Sequence, residues 1–142
     1  MDVDTVVEVT GAYFVPYIIG QGYQKLLRCQ GNSFFNWLCN VNATHQHLSI
    51  SFPKKMRAPL FWCTEDDEDG SLTLYHQSQR GKILAPLAAG LVKEAAKTFF
   101  ELDIKLERLT LQGEWGSEFS SWKITTKDPL CLRILVVFLH QS

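Results

Sequence analysis

The chain has 142 residues, of which 46% are hydrophobic and 20% charged, and its formal net charge is −1 at pH 7. This length predicts a single domain, or part of one, with a buried core, and the near-neutral net charge gives no indication of the basic face that binding to nucleic acids or anionic membranes requires, so we expect neither as a partner. The four cysteines, Cys29, Cys39, Cys63 and Cys131, include no C-x-x-C pair and follow no secretory leader, so we expect reduced thiols in a cytoplasmic protein.

The first part of the chain is predicted to be helical. Apolar residues with helical spacing indicate a first helix over residues 4–19, with Asp4 as its cap, a proline near its end and a Gly-Gln-Gly run that stops it. A second helix over residues 34–38 can be capped by Asn32 or by Ser33.

The next segment, residues 41–52, contains the histidine of greatest interest. On a helix, Val41, His45 and Leu48 share one apolar face. His47 falls on the polar side, because positions two residues apart do not face each other. A helix-borne histidine that faces the interior can ligate a metal through one ring nitrogen. The alternative is a core histidine that only forms a hydrogen bond with a neighbour.

A β-hairpin is predicted over residues 60–77, with an acidic turn at residues 65–70 that we interpret as a solvated loop. Alternation along its second strand places His76, Ser78 and, if the strand continues, Arg80 in one polar row. A serine and an arginine on one strand face can hold a carboxylate through charge-assisted hydrogen bonds. A solvated strand end is the alternative interpretation.

The remaining elements complete the predicted fold. Pro86 suits the first turn of a helix over residues 86–99, and residues 103–110 and 119–126 have the alternation of strands. Helices, a hairpin, a helix and two strands in this order predict an α+β fold with an antiparallel sheet and a packed helix. The apolar run 130–139 is too short to span a membrane, which takes about 20 residues.

Four motifs occur in order along the chain: Gly-Tyr-Gln-Lys-Leu-Leu at residues 22–27, Asn-Val-Asn-Ala-Thr-His-Gln-His-Leu at 40–48, Met-Arg-Ala-Pro at 56–59 and Tyr-His-Gln-Ser-Gln-Arg at 75–80. Together they resemble the heme NO-binding (H-NOX) domain, in the version that opens the soluble guanylate cyclase subunits of animals. The resemblance implies an H-NOX-like fold that lacks its N-terminal helices, with residues 1–127 as a partial domain and residues 128–142 as an atypical C-terminal tail.

The resemblance also implies a cofactor, heme b (iron protoporphyrin IX). His45 matches the proximal histidine that binds the heme iron in this family. Ser78 and Arg80 match the serine and arginine of the family's Tyr-x-Ser-x-Arg motif, which holds the heme propionates. His76 stands where that motif has its tyrosine and can still donate a hydrogen bond to a propionate.

The resemblance implies roles for two more residues. Pro59 matches a proline that packs on the heme and distorts it. Leu87 stands where oxygen-binding bacterial members have a tyrosine in the distal pocket, and the lack of a hydroxyl there implies a preference for NO over oxygen.

The function implied is a heme-based NO sensor linked to cGMP signalling. NO would weaken the bond between iron and His45, and release of that helix would signal to a guanylate cyclase-type subunit or another signalling segment. We expect no catalytic domain in this chain. One alternative is a heme-free interaction or dimerisation domain of a cyclase-like subunit. Another is a small hydrolase that uses Cys63 and His76, which we do not favour because no nucleophile elbow accompanies them.

Overall fold

A computed structural model describes residues 2–48, 60–66, 68–78, 84–109 and 119–132. In chain order the elements are α1 (Val3–Ile18), a π-helical turn (Ile19–Tyr23), α2 (Gln24–Cys29), α3 (Phe34–Cys39), α4 (Val41–Leu48), β1 (Leu60–Glu65), β2 (Leu72–Gln77), α5 (Ala85–Phe100), β3 (Lys105–Leu109), β4 (Phe119–Thr125) and a short 3-10 helix (Pro129–Leu132). The predicted α+β fold with an antiparallel sheet is confirmed.

The sequence predicted N-terminal caps for two helices, and the structure agrees with the prediction for α3 but not for α1. Ser33, one of the two candidates, caps α3 by accepting a hydrogen bond from the amide of Asn36 at 3.1 Å. The predicted cap of α1 is wrong: Asp2 accepts from the amide of Thr5 at 2.7 Å, and Asp4 lies inside the first turn. Asp2 has the extended backbone of a cap, which leaves its carboxylate free to turn back onto the helix.

Helix α1 lies against α5 at unusually short range. A Cβ at position 11 would collide with the carbonyl oxygen of Leu87, and a Cβ at position 90 would collide with that of Glu8. The two helices therefore run antiparallel and meet backbone to backbone through Gly11 and Gly90. Lys93 and Glu8 form an ion pair of 3.5 Å beside the crossing.

The four strands form one antiparallel sheet in the order β1-β2-β4-β3. Along β2 the side chains alternate between buried and half-buried, as the sequence predicts for a strand with one face on the core. The core joins this face to the helices, and its largest fully buried apolar side chains are Phe34, Leu38, Leu72, Leu74, Ile124 and Leu132. Leu132 lies beyond the predicted domain boundary at residue 127 and belongs to this core, whereas Asp128 and Leu130 before it are exposed.

The acidic turn between β1 and β2 is largely solvated, as predicted: of its described acidic residues, Glu65, Glu68 and Asp69 are exposed and Asp66 is half-buried. The Lys123 ammonium lies 2.7 Å from Asp69 and, with the amide and hydroxyl of Ser71, holds the pKa of that carboxyl well below its usual range. No helix in the described ranges is both long and apolar enough to cross a membrane.

Candidate functional site

His45 lies on α4 with the orientation that its helical phase predicts. Val41, one turn earlier, is buried, and His45 is half-buried. The His45 ring lies against the ring of Phe61 on β1, with 6.1 Å between their centroids. The predicted helix 41–52 is described as far as Leu48, and its remaining residues lie outside the described ranges.

Helix α4 is joined to the sheet by the side chain of Asn42. Its Nδ2 donates to the carbonyl oxygen of Phe61 at 2.6 Å, and its Oδ1 accepts from the Phe61 amide at 2.8 Å. An amide side chain can make both bonds at once because it carries one donor and one acceptor group. Since β1 is an edge strand, Asn42 occupies backbone groups that a further strand would otherwise pair.

His76 continues the row of rings on the buried face of the sheet. It is the cross-strand partner of Phe61, with ring centroids 4.9 Å apart, and its other ring neighbour is Trp122 at 6.1 Å. The four side chains His45, Phe61, His76 and Trp122 thus form a continuous row, which we call the aromatic row. Through Phe61, the structure connects the helix histidine to the polar positions of β2, which the sequence could only place on separate elements.

The ring of His76 is buried without a full set of partners. Only 1% of the residue is exposed, and among the residues that the structure describes nothing hydrogen-bonds to its Nδ1. Burial, and secondly the nearby charge of Arg108, lower the pKa of His76 to about 4. The ring is therefore neutral at pH 7. An unpaired buried polar atom lowers the stability of a fold by about 1–3 kcal/mol. A ligand that hydrogen-bonds to this nitrogen would remove that cost, and the aromatic row itself supplies no such partner.

The other predicted site residues have different outcomes. Ser78 is buried directly after β2, on the same face as His76, as predicted. Leu87 is half-buried on α5, where its carbonyl meets Gly11, and no described contact connects it with the aromatic row. Pro59 and Arg80 lie outside the described residues.

The hairpin register does not support the hydrolase alternative. Cys63 pairs with Leu74, whereas His76 pairs with Phe61. The thiol and the imidazole are therefore diagonal neighbours rather than a direct cross-strand pair, with an aromatic ring opposite the histidine. In the described part of the chain, no three histidine, cysteine or acidic side chains gather at metal-binding distances.

Sequence reasoning missed Asn42, Phe61, Trp122 and Arg108. The guanidinium of Arg108 lies 5.3 Å from the ring centroid of Trp122, and its Nη2 donates to Ser120 Oγ at 3.0 Å. Asn42 stands one turn before His45, on a face that approaches the same strand, which is a signal that could have found it. Nothing local could have found Arg108, because its contacts depend on the pairing of β3 with β4.

A model of the family described as "Haem-NO-binding" matches residues 1–108 of the chain. Among curated proteins, soluble guanylate cyclase gcy-33 of Caenorhabditis elegans is 35% identical over 117 residues, covering 82% of this chain and 12% of that protein. Soluble guanylate cyclase gcy-37 of the same organism is 33% identical over 107 residues, covering 75% of this chain and 15% of that protein. Guanylate cyclase soluble subunit beta-2 of Rattus norvegicus is 29% identical over 111 residues, or 78% of this chain and 16% of that protein. The chain therefore spans only a small part of the length of these relatives.

Solved structures agree with the fold. A mutant of the T. tengcongensis H-NOX superimposes with a TM-score of 0.69 at 18% identity, over 91% of this chain and 66% of that one. An H-NOX protein from S. oneidensis in the Fe(II)NO ligation state gives a TM-score of 0.72 at 16% identity, over 90% of this chain and 67% of that one. At such identities the likeness shows a shared fold.

Proposed function

This chain belongs to the haem-NO-binding (H-NOX) family, and on that premise we propose that it is a heme-based NO-sensing domain whose proximal ligand is His45. The observation that carries the proposal is the aromatic row. It connects a half-buried helical histidine with a buried histidine whose Nδ1 is unpaired among the described residues. Heme, held through His45, would supply an iron that can bind a gas.

The side chains present are of the types that such a cofactor needs. His45 offers an imidazole beside the apolar ring of Phe61. His76, through its unpaired Nδ1, and Ser78, through its hydroxyl, are proposed to donate hydrogen bonds to the heme carboxylates, together with Arg80. Pro59 is proposed to pack on the porphyrin, as the family resemblance implies. Asn42 would keep His45 at a constant distance from the sheet, because its two hydrogen bonds tie α4 to β1.

We propose that binding of a gas changes how firmly α4 is attached to the rest of the domain. If the bond between the iron and His45 became weaker, two described links would still join this part of α4 to β1. They are the hydrogen bonds of Asn42, three residues before His45, and the contact of the His45 ring with Phe61. Movement of α4 would then reach a guanylate cyclase-type subunit or signalling segment and so affect cGMP synthesis. The curated relatives are soluble guanylate cyclases, which supports this choice of partner.

Selectivity for NO over oxygen is proposed to depend on Leu87, whose side chain has no hydroxyl to donate to bound oxygen. Introducing that donor with Leu87→Tyr should raise the oxygen affinity of the reduced, heme-loaded protein, and Leu87→Phe is the matched control. Equal oxygen affinity in both variants would assign selectivity to another position.

The decisive experiment is reconstitution of the full chain with hemin, followed by the Soret band. The wild type should acquire the band, and His45→Ala should lose or shift it. His47→Ala is the matched control, because it removes a histidine two residues away on the other side of the predicted helix. A wild type without a Soret band would refute heme binding. An unchanged band in His45→Ala, with circular dichroism confirming the fold, would refute ligation by His45.

A second function, a heme-free interaction domain, is favoured by one observation. Helix α1 presents exposed apolar side chains at Val6, Val9, Tyr13, Phe14 and Tyr17, with Tyr13 74% exposed. A contiguous apolar surface of this kind is typical of a protein interface. A colourless chain that co-purifies with a cyclase-type subunit, and loses that subunit on Tyr13→Asp, would support this function over heme sensing.

A further inference from the structure

We propose that Arg108, an exposed residue of the edge strand β3, is an additional binding residue for a heme carboxylate: its guanidinium, the His76 ring and the Ser120 hydroxyl form one carboxylate site at the edge of the sheet, on the side that faces the core. This inference rests on the proposed heme-binding function and extends it to β3 and β4, which no sequence motif points to.

The sheet register brings the three side chains together. In the β2–β4 pair, Ser120 is the cross-strand partner of His76. In the β3–β4 pair, Arg108 is the partner of Trp122, two positions along β4 on the same face as Ser120. Arg108 reaches along β4 and donates from Nη2 to Ser120 Oγ at 3.0 Å, so its guanidinium lies next to the residue that pairs with His76.

Contacts on two sides restrict the guanidinium. It lies over the ring of Trp122, 5.3 Å from the centroid, and that ring is itself 6.1 Å from the ring of His76. A guanidinium carries five N–H donors, and the contact with Ser120 uses one of its nitrogens. Within the described residues, no carboxylate forms an ion pair with Arg108. The charge and most donors of Arg108 are therefore available to an anion from outside the aromatic row.

The charges of the two residues complement each other. His76 is neutral when buried and supplies no positive charge; in the tautomer that carries its proton on Nδ1, it can donate a hydrogen bond to a carboxylate. A guanidinium supplies the positive charge that the neutral imidazole lacks, together with a fork of donors that matches a carboxylate. A carboxylate held between them would accept from both residues. It would also offset the field of Arg108, which is the second cause of the lowered pKa of His76.

The test compares hemin with hemin dimethyl ester, in which both carboxylates are blocked. For the full chain, Arg108→Gln should weaken hemin binding about tenfold or more, because it removes the charge and the charge-assisted hydrogen bonds that the guanidinium would make to the carboxylate. The same variant should bind the dimethyl ester as the wild type does. Arg108→Lys keeps the charge without the fork and should fall between the two.

Lys105→Gln is the matched control, because it removes a positive charge from the opposite face of the same strand, and it should leave both affinities unchanged. Equal hemin affinity in Arg108→Gln and the wild type would overturn the role of Arg108 and leave heme binding intact. Equal losses for hemin and its ester would also overturn it, because they would indicate a general disturbance of the sheet. A wild type that binds neither compound would overturn this inference together with the proposed function.

Discussion

The side chain of Asn42 on α4 hydrogen-bonds to the main chain of Phe61 on β1 as a neighbouring strand would. Its Nδ2 donates to the Phe61 carbonyl at 2.6 Å, and the Phe61 amide donates to its Oδ1 at 2.8 Å. The pairing has a consequence for the side chains. Because the N–H and C=O of Phe61 point to Asn42, they point away from β2, and Phe61 faces His76 in the closer of the two antiparallel pairings. One side chain of α4 therefore contributes both to the position of His45 and to the close contact of Phe61 with His76.

Replacing Asn42 with aspartate should destabilise the fold by about 1–3 kcal/mol, because a carboxylate accepts from the Phe61 amide but repels the Phe61 carbonyl. Asn42→Ala should cost about 1 kcal/mol, the usual net contribution of a hydrogen bond of this kind, because it removes the partner without introducing a repulsive charge. Chemical denaturation measures both values. Wild-type stability in Asn42→Asp would mean that the amide pairing contributes nothing.

The ring of Phe61 is expected to affect stability and cofactor retention together. Phe61 is buried between His45 and His76, so Phe61→Ala should lower the free energy of unfolding by about 3–5 kcal/mol, and Phe61→Leu by about 1 kcal/mol. Phe61→Leu should also release heme faster, which transfer of heme to an excess of apomyoglobin would measure.

Trp62→Leu provides the comparison, because Trp62 lies on the other face of β1 and stacks on Tyr75 with ring centroids 5.3 Å apart. It should cost stability without changing heme release. Equal release rates in the two leucine variants would refute a special role for the aromatic row.

The crossing of α1 and α5 should not tolerate a methyl group. Alanine is a better helix former than glycine, yet Gly90→Ala should destabilise the protein by about 1–3 kcal/mol, because its Cβ would collide with the carbonyl oxygen of Glu8. Gly20→Ala is the control, because no atom lies within 4 Å of the added Cβ, and it should be neutral or gain up to about 1 kcal/mol. Thermal unfolding separates the two, and a stabilised Gly90→Ala would contradict the close packing.

Stability should fall at acid pH through His76. Its pKa is lowered to about 4 in the folded chain from an ordinary value of 6.5, mainly by burial. The unfolded chain therefore binds the proton more readily, and the contribution of His76 is fully present above pH 6.5 and lost as the pH falls through 4. A shift of this size corresponds to about 3 kcal/mol.

His76→Gln removes the titrating group and should flatten the stability profile between pH 6.5 and 4 relative to the wild type. Parallel profiles for the two proteins, measured by urea unfolding of the heme-free chain, would show that His76 does not titrate between these limits.

The sequence was sufficient for most of the elements and for one face of several of them, although it did not predict α2 or the 3-10 helix at Pro129–Leu132. Helical phase selected His45 over His47, alternation placed His76 and Ser78 on the buried face of β2, and Ser33 was one of two candidate caps for α3. These features depend on residues that are only a few positions apart in the chain, so the spacing of residues in the sequence predicts them directly. The cap of α1 was missed because Asp2 and Asp4 are both capable caps and only the backbone distinguishes them.

Tertiary structure alone decided which of these elements meet. The insertion of β4 between β2 and β3 places Ser120 beside His76 and gives Arg108 its contacts, and no spacing in the sequence encodes that order. The pairing of Asn42 with Phe61 joins residues 19 positions apart. Strand order and helix docking depend on how whole buried faces fit together. The sequence by itself therefore determined which side chains are suited to a binding site. The packing of the sheet against α4 determined which of these side chains lie together in the same site.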